Sequence, residues 1–157
     1  EEAAVLAWLE RGGRVNATYE RGEASGLTLL MGAAANGRER VVELLLQRGA
    51  EIDRQGSEGG TALMHAALEG HERVVDLLIQ RGAEVNKQDS RGGTALMVAA
   101  LLNHPAVVRR LLRAGADATA RNASGKTALH LATEEGHAEC VRALEEHSST
   151  AAEAAPR

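Results

Sequence analysis

The side chains with most chemical potential here are the histidines, the single cysteine and a few paired acids. His71, His104 and His137 stand 33 residues apart, and Arg38 holds the same place one period earlier. A histidine recurring at a fixed interval answers a demand of the recurring unit, here a turn held by hydrogen bonds, and not a single catalytic act. His137 and Cys140 are close enough on one helix turn to touch one metal ion. A zinc site needs about four ligands, however, and no second Cys/His pair lies near them in sequence. Cys140 instead aligns with Val41, Val74 and Val107 of an apolar stripe, which predicts a core position. Glu134 and Glu135 are adjacent acids, but neighbours on a helix diverge by about 100°, so two solvated carboxylates are expected. Gly59-Gly60 and Gly92-Gly93 precede helix starts as an anion-binding loop would, without the Lys-Ser/Thr of a phosphate loop. No nucleophile elbow, dinucleotide fingerprint or HExxH is present. The expectation is a chain with no catalytic residue, no metal and no cofactor.

The elements that must hold these residues recur with them. Thr28, Thr61, Thr94 and Thr127 are also 33 residues apart, opening "GLTLLMGAA", "GGTALMHAA", "GGTALMVAA" and "GKTALHLAT". In the copy 59–91, Thr61 can cap a helix over Ala62–Glu69, its hydroxyl accepting an orphan backbone N–H. Gly70-His71 makes the turn. A second helix over Glu72–Gln80 carries Val74, Val75, Leu78 and Ile79 at helical spacing. Gly82 suits a left-handed helix end, and "AEVNKQDSRGG" returns the chain as an extended turn. A fixed period of this length predicts a solenoid.

Composition narrows the class. The 157 residues include one Trp, one Tyr and no Phe, so Leu, Val and Ala must fill a core of thin, closely spaced helical layers. A net charge of −4 argues against nucleic-acid or membrane-surface binding, both of which want a basic face. No apolar run reaches membrane-spanning length, the acidic "EEAAVLAWLE" start lacks the basic region of a signal peptide, and one cysteine fits a reducing compartment. The chain is expected to be soluble and intracellular, cytoplasmic or nuclear.

The unit G-x-T-A-L-M/H-x-A-A, then G-H-x-x-V-V-x-L-L, then G-A-x-V-N resembles the ankyrin repeat. Three full copies cover 26–58, 59–91 and 92–124. A fourth, 125–147, serves as a capping repeat with polar Glu145-Glu146-His147. Residues 1–25 match half a repeat, with a finger four residues longer than the others; 148–157 read as a disordered tail. The resemblance implies an all-α solenoid of stacked helix–turn–helix pairs, with β-hairpin fingers along one edge and a concave binding face. The chain departs from the family in three ways. Ala62, Ala95 and Ala128 stand for the usual proline (Leu29 in the first copy). Met31, Met64 and Met97 stand for the usual histidine, kept only as His130, which trades a Thr–His bond for apolar filling. Asn103-His104-Pro105 replaces Gly-His. The start within a repeat suggests a piece of a longer protein or array.

The resemblance also implies where a partner would bind. The finger tips map to Thr18-Tyr19-Glu20-Arg21, Ser57-Glu58, Ser90-Arg91 and Ala123-Ser124. The ends of the first helices map to Ala35-Asn36, Leu68-Glu69, Leu101-Leu102 and Glu134-Glu135. Leu101-Leu102 stands out, because leaving one leucine exposed forgoes about 1.5–3 kcal/mol of burial. With Leu68 it predicts an apolar patch rimmed by Glu69 and Glu134, suited to an apolar anchor with basic flanks; the alternative is that Leu102 packs beneath its turn. Tyr19 is a favoured contact type. Trp8 aligns with the core positions Leu45, Leu78 and Leu111; it packs against the next repeat or, partly bare, drives self-association of an otherwise monomeric chain. Arg109, Arg110 and Arg113 read as a salt-bridged solvated face, with an acidic partner as the alternative. Asn16 and Asn86 match in part the asparagine that the family offers for hydroxylation. The functional expectation is a non-catalytic module binding a protein or peptide. The alternatives are a recruiting or regulatory segment of a larger enzyme and an engineered, consensus-like scaffold.

Overall fold

A computed structural model describes residues 2–155. Among these the elements run α1 (Glu2–Glu10), β1 (Thr18–Arg21), β2 (Ala24–Thr28), α2 (Leu29–Ala35), α3 (Glu39–Gln47), α4 (Ala62–Glu69), α5 (Glu72–Gln80), α6 (Ala95–Leu101), α7 (Pro105–Arg113), α8 (Ala128–Glu134) and α9 (Ala138–Ala154). The helices form two rows. α2, α4, α6 and α8 stack in order as the inner row; α1, α3, α5, α7 and α9 stack as the outer row, and α2–α3, α4–α5, α6–α7 and α8–α9 pack as helix–turn–helix pairs.

Each inner helix starts at its threonine. The hydroxyl oxygens of Thr28, Thr61, Thr94 and Thr127 accept from the backbone N–H three residues on, at 3.2, 3.3, 3.3 and 3.3 Å, satisfying one of the helix's orphan donors. Ala66, Ala67, Ala99 and Ala100 are fully buried where inner helices meet, and their small side chains permit that approach. Val42, Leu45, Val75, Leu78, Val108 and Leu111 are buried from the outer row, the apolar stripe expected of those helices.

The methionines that replace histidine show how a repeat knows its place in the stack. Met31, Met64 and Met97 are buried, whereas His130 at the same position of α8 is exposed. The apolar form occurs where another inner helix follows, and the polar form where none does among the described residues. The exchange is also less complete than expected. The Met31 sulfur accepts from the Thr28 N–H at 3.4 Å, as His130 Nδ1 accepts from the Thr127 N–H at 3.1 Å.

Three features differ from or refine the sequence reading. The segment expected to be a disordered tail from 148 is helical through Ala154, the last turns of α9. Its alanines and Glu153 are strong helix formers, and the hydroxyls of Ser148, Ser149 and Thr150 donate back to the carbonyls of Leu144, Glu145 and Glu146 at 3.0, 3.1 and 3.2 Å. Residues 156 and 157 of that expected tail lie outside the described residues. The fingers are unequal: only the lengthened first one forms paired strands, with Thr18 opposite Thr28 and Tyr19 opposite Leu27. Later fingers are reduced to a turn closed by two bonds, as where the Gly59 N–H donates to Gly56 O at 2.9 Å and the Gly56 N–H to Gly60 O at 3.0 Å. Trp8 is partly bare, 39% exposed, its ring lying over Gly13.

Candidate functional site

The inner row and the fingers are joined by a frame of bonds that cross repeats. The Nε2 of His71, His104 and His137 donates to the carbonyls of Ala35, Leu68 and Leu101 at 3.0, 2.9 and 2.9 Å; a carbonyl only accepts, so the proton sits on Nε2 in each. The recurring histidines thus tie each turn to the end of the inner helix one repeat back. At the finger tips, Ser57, Ser90 and Ala123 donate their N–H to the carbonyls of Ser25, Glu58 and Arg91 at 3.0, 3.0 and 2.8 Å. In the return loops the Asn16, Asp53 and Asn86 side chains accept from the N–H of Glu51, Glu84 and Asp117 at 2.8, 2.9 and 2.7 Å. Repeats 26–58, 59–91 and 92–124 are held to one another at all three levels, residues 1–25 by the finger and loop bonds, and the last repeat by His137.

Between the third and fourth repeats this frame leaves a groove of about 380 Å³. Its floor is Met97, Val98, Leu101 and Leu131, and its far wall is Asp89, Arg91, Asn122, Ala123 and Ser124. Val98 and Leu101 lie one turn apart on α6 and so share a face. Asp89 is used internally, its Oδ1 accepting from the N–H of Arg91 and Gly93 at 2.9 and 2.7 Å. At one rim Lys126 Nζ reaches Glu134 at 2.6 Å. A second groove, about 430 Å³, lies at the other end, lined by Ala4, Val5, Tyr19, Leu29, Gly32, Ala33, Asn36, Arg38 and Val41.

The residues singled out from sequence are therefore divided. Arg91 and Leu101 line the groove between α6 and α8, while Tyr19 lines the N-terminal groove over Gly32. Leu68 and Leu102 are 43% and 44% exposed and line neither of these two grooves. Ser57, Glu58 and Ser90 are exposed finger residues whose backbone carries the tip-to-tip bonds, and Arg21 is an exposed residue of β1. Glu69 and Glu135 stand exposed at the ends of α4 and α8. Val98 and Leu131 were not singled out. The signal was present: Val98 precedes Leu101 by one turn, and Leu131 stands 33 residues beyond Val98.

The remaining chemistry-bearing groups are absorbed by the fold. Arg110 bonds Asp76, and Glu72 at 2.8 Å; its guanidinium holds its proton more firmly than usual chiefly through the Asp76 bond. Arg109 reaches Glu139 at 3.2 Å. These pairs stitch α7 to α5 and α9 on the outer row. Cys140 is fully buried, and that burial pushes its thiol pKa up. Among the described residues no group of three or more His, Cys, Asp or Glu side chains is placed to hold a metal ion, and no helix is long and apolar enough to cross a membrane.

A family model described as ankyrin repeats (3 copies) matches residues 2–89 and again 83–153. None of the curated proteins compared matches the chain. The two family matches together span nearly all of the stacked, threonine-capped helix pairs described above, and the chain belongs to the ankyrin repeat family.

Proposed function

We infer that this chain is a non-catalytic protein-binding module whose contact face is the concave groove between α6 and α8. Ankyrin repeats generally serve protein–protein interaction. The observation that carries the assignment to this face is Leu101, 38% exposed in a groove floored by Val98 and Leu131. An exposed aliphatic floor with polar walls suits a buried anchor surrounded by orienting contacts. Glu69, Leu68, Leu102 and Glu135 extend this face along the helix ends, and the side chains of Glu58, Ser90 and Arg91 extend it along the fingers.

The test is affinity capture with the native chain beside Leu101→Glu/Leu131→Glu and, as a control on the outer row, Arg113→Glu. Thermal melts first establish that all three are folded. Loss of captured protein in the groove variant alone supports the reading. Equal capture by all three moves the contact face elsewhere.

A further inference from the structure

The groove's chemistry also defines what fits it, an inference that rests on the concave-face reading above. Three features of the site narrow the occupant. The first is backbone supply. An added β-strand needs free N–H and C=O groups along an edge, but at the finger tips Ser57, Ser90 and Ala123 already donate to Ser25, Glu58 and Arg91. The second is the absence of aromatic walls, which proline-rich ligands use: Trp8 and Tyr19, the chain's aromatics, both lie in its N-terminal segment, away from this groove. An α-helix needs neither, because it satisfies its own backbone and presents only a side-chain stripe.

The third is spacing and charge. Leu68 and Leu101 are equivalent residues of α4 and α6, and neighbouring helices pack about 8–10 Å apart. Residues two turns apart on a helix are separated by about 10.5 Å on one face. Along the helix-end side of this stripe stand Glu69 and Glu135, both exposed and neither in an ion pair among the described residues. Glu134 is occupied by Lys126, and the finger side carries Arg91. The helix-end flank is therefore acidic, whereas the finger side carries both signs, Arg91 beside Asp89 and Glu58.

We propose that the occupant is a short amphipathic α-helix with aliphatic anchors at i and i+7, one seated in the groove on Leu101 and the other beyond it on the exposed Leu68, whose basic flank faces Glu69 and Glu135. The probe is an 18-residue fluorescent helical peptide with leucines at i and i+7 and lysines along one flank, roughly five turns long. Two variants accompany it, one with the lysines replaced by glutamate and one with the second leucine moved to i+5, which turns it off the stripe. The proposal expects saturable binding of the lysine peptide and none of the i+5 peptide. Exposed charge pairs being modest, binding should weaken about fivefold at low salt in Glu69→Lys/Glu135→Lys. It should also be lost in Leu101→Glu. Equal binding of the glutamate peptide overturns the charge assignment, and with it the proposal. If no peptide binds while capture still depends on Leu101 and Leu131, the helical occupant is wrong and the concave-face reading stands; if that capture also fails to depend on them, both fall.

Discussion

The Nε2 of His137 donates to the carbonyl oxygen of Leu101 at 2.9 Å. A residue of the last repeat thereby holds the backbone of the residue whose side chain lines the groove of the repeat before it. The histidine fixes where α6 ends, and the end of α6 fixes where Leu101 points. The same relation holds between His104 and Leu68 at 2.9 Å, so both exposed leucines are braced from the following repeat.

Replacing His137 by Ala removes that bond, and a hydrogen bond of this kind contributes about 0.5–1.5 kcal/mol. Urea unfolding of His137→Ala should show a loss of this size, with a similar loss for His104→Ala. An unchanged midpoint in both would mean that the recurring histidines fill the turn without bracing it.

Gly70 adopts a left-handed conformation, φ 73°, and a Cβ placed there would come within 2.5 Å of His104 Nδ1. Gly70→Ala therefore meets two costs, the backbone strain of about 1–2 kcal/mol and displacement of the ring that braces Leu68. Thermal melting should show a larger loss for Gly70→Ala than for Gly82→Ala, where φ is 89° and the space around the new Cβ is open.

Acid should uncover the contribution of Asp117. The Thr119 hydroxyl and N–H donate to its Oδ1 at 2.6 and 2.9 Å, and the hydroxyl bond foremost holds its carboxyl below the usual carboxylate range. The folded chain then takes up this proton less readily than the unfolded chain, whose aspartate titrates near about 3.9. The resulting stability is present above that value and is lost as pH falls through the lower folded one. Melting profiles of the native chain and Asp117→Ala should differ at neutral pH and begin to converge as pH falls below about 4; a gap that widens as pH falls further contradicts the assignment.

The repeat frame was legible because its determinants are local and periodic. Thr61 and Gly70 bound α4 at the residues expected, and α5 spans Glu72–Gln80 as its apolar spacing predicts. Asn103 was read only as an irregular turn, yet it takes the left-handed conformation (φ 60°) that Gly37, Gly70 and Gly136 take in the other copies, a role asparagine tolerates. The tail was misread because low hydrophobicity was weighed above the helix propensity of its alanines and the helix already running into it. The site was less legible because a groove is a relation between repeats. Leu101 is conspicuous in sequence, but its meeting with Leu131 depends on how α6 and α8 stack, and Tyr19 was grouped with residues that the stack sets apart from it.

The most direct test of the groove as the contact face is site-specific photo-cross-linking, with a photoreactive amino acid placed at position 101 or at position 113 on the outer row. The account predicts a discrete cross-linked partner band from position 101, lost when Val98 and Leu131 are both changed to glutamate, and no such band from position 113. Cross-linking from 113 and none from 101 would contradict it and move recognition to the convex side.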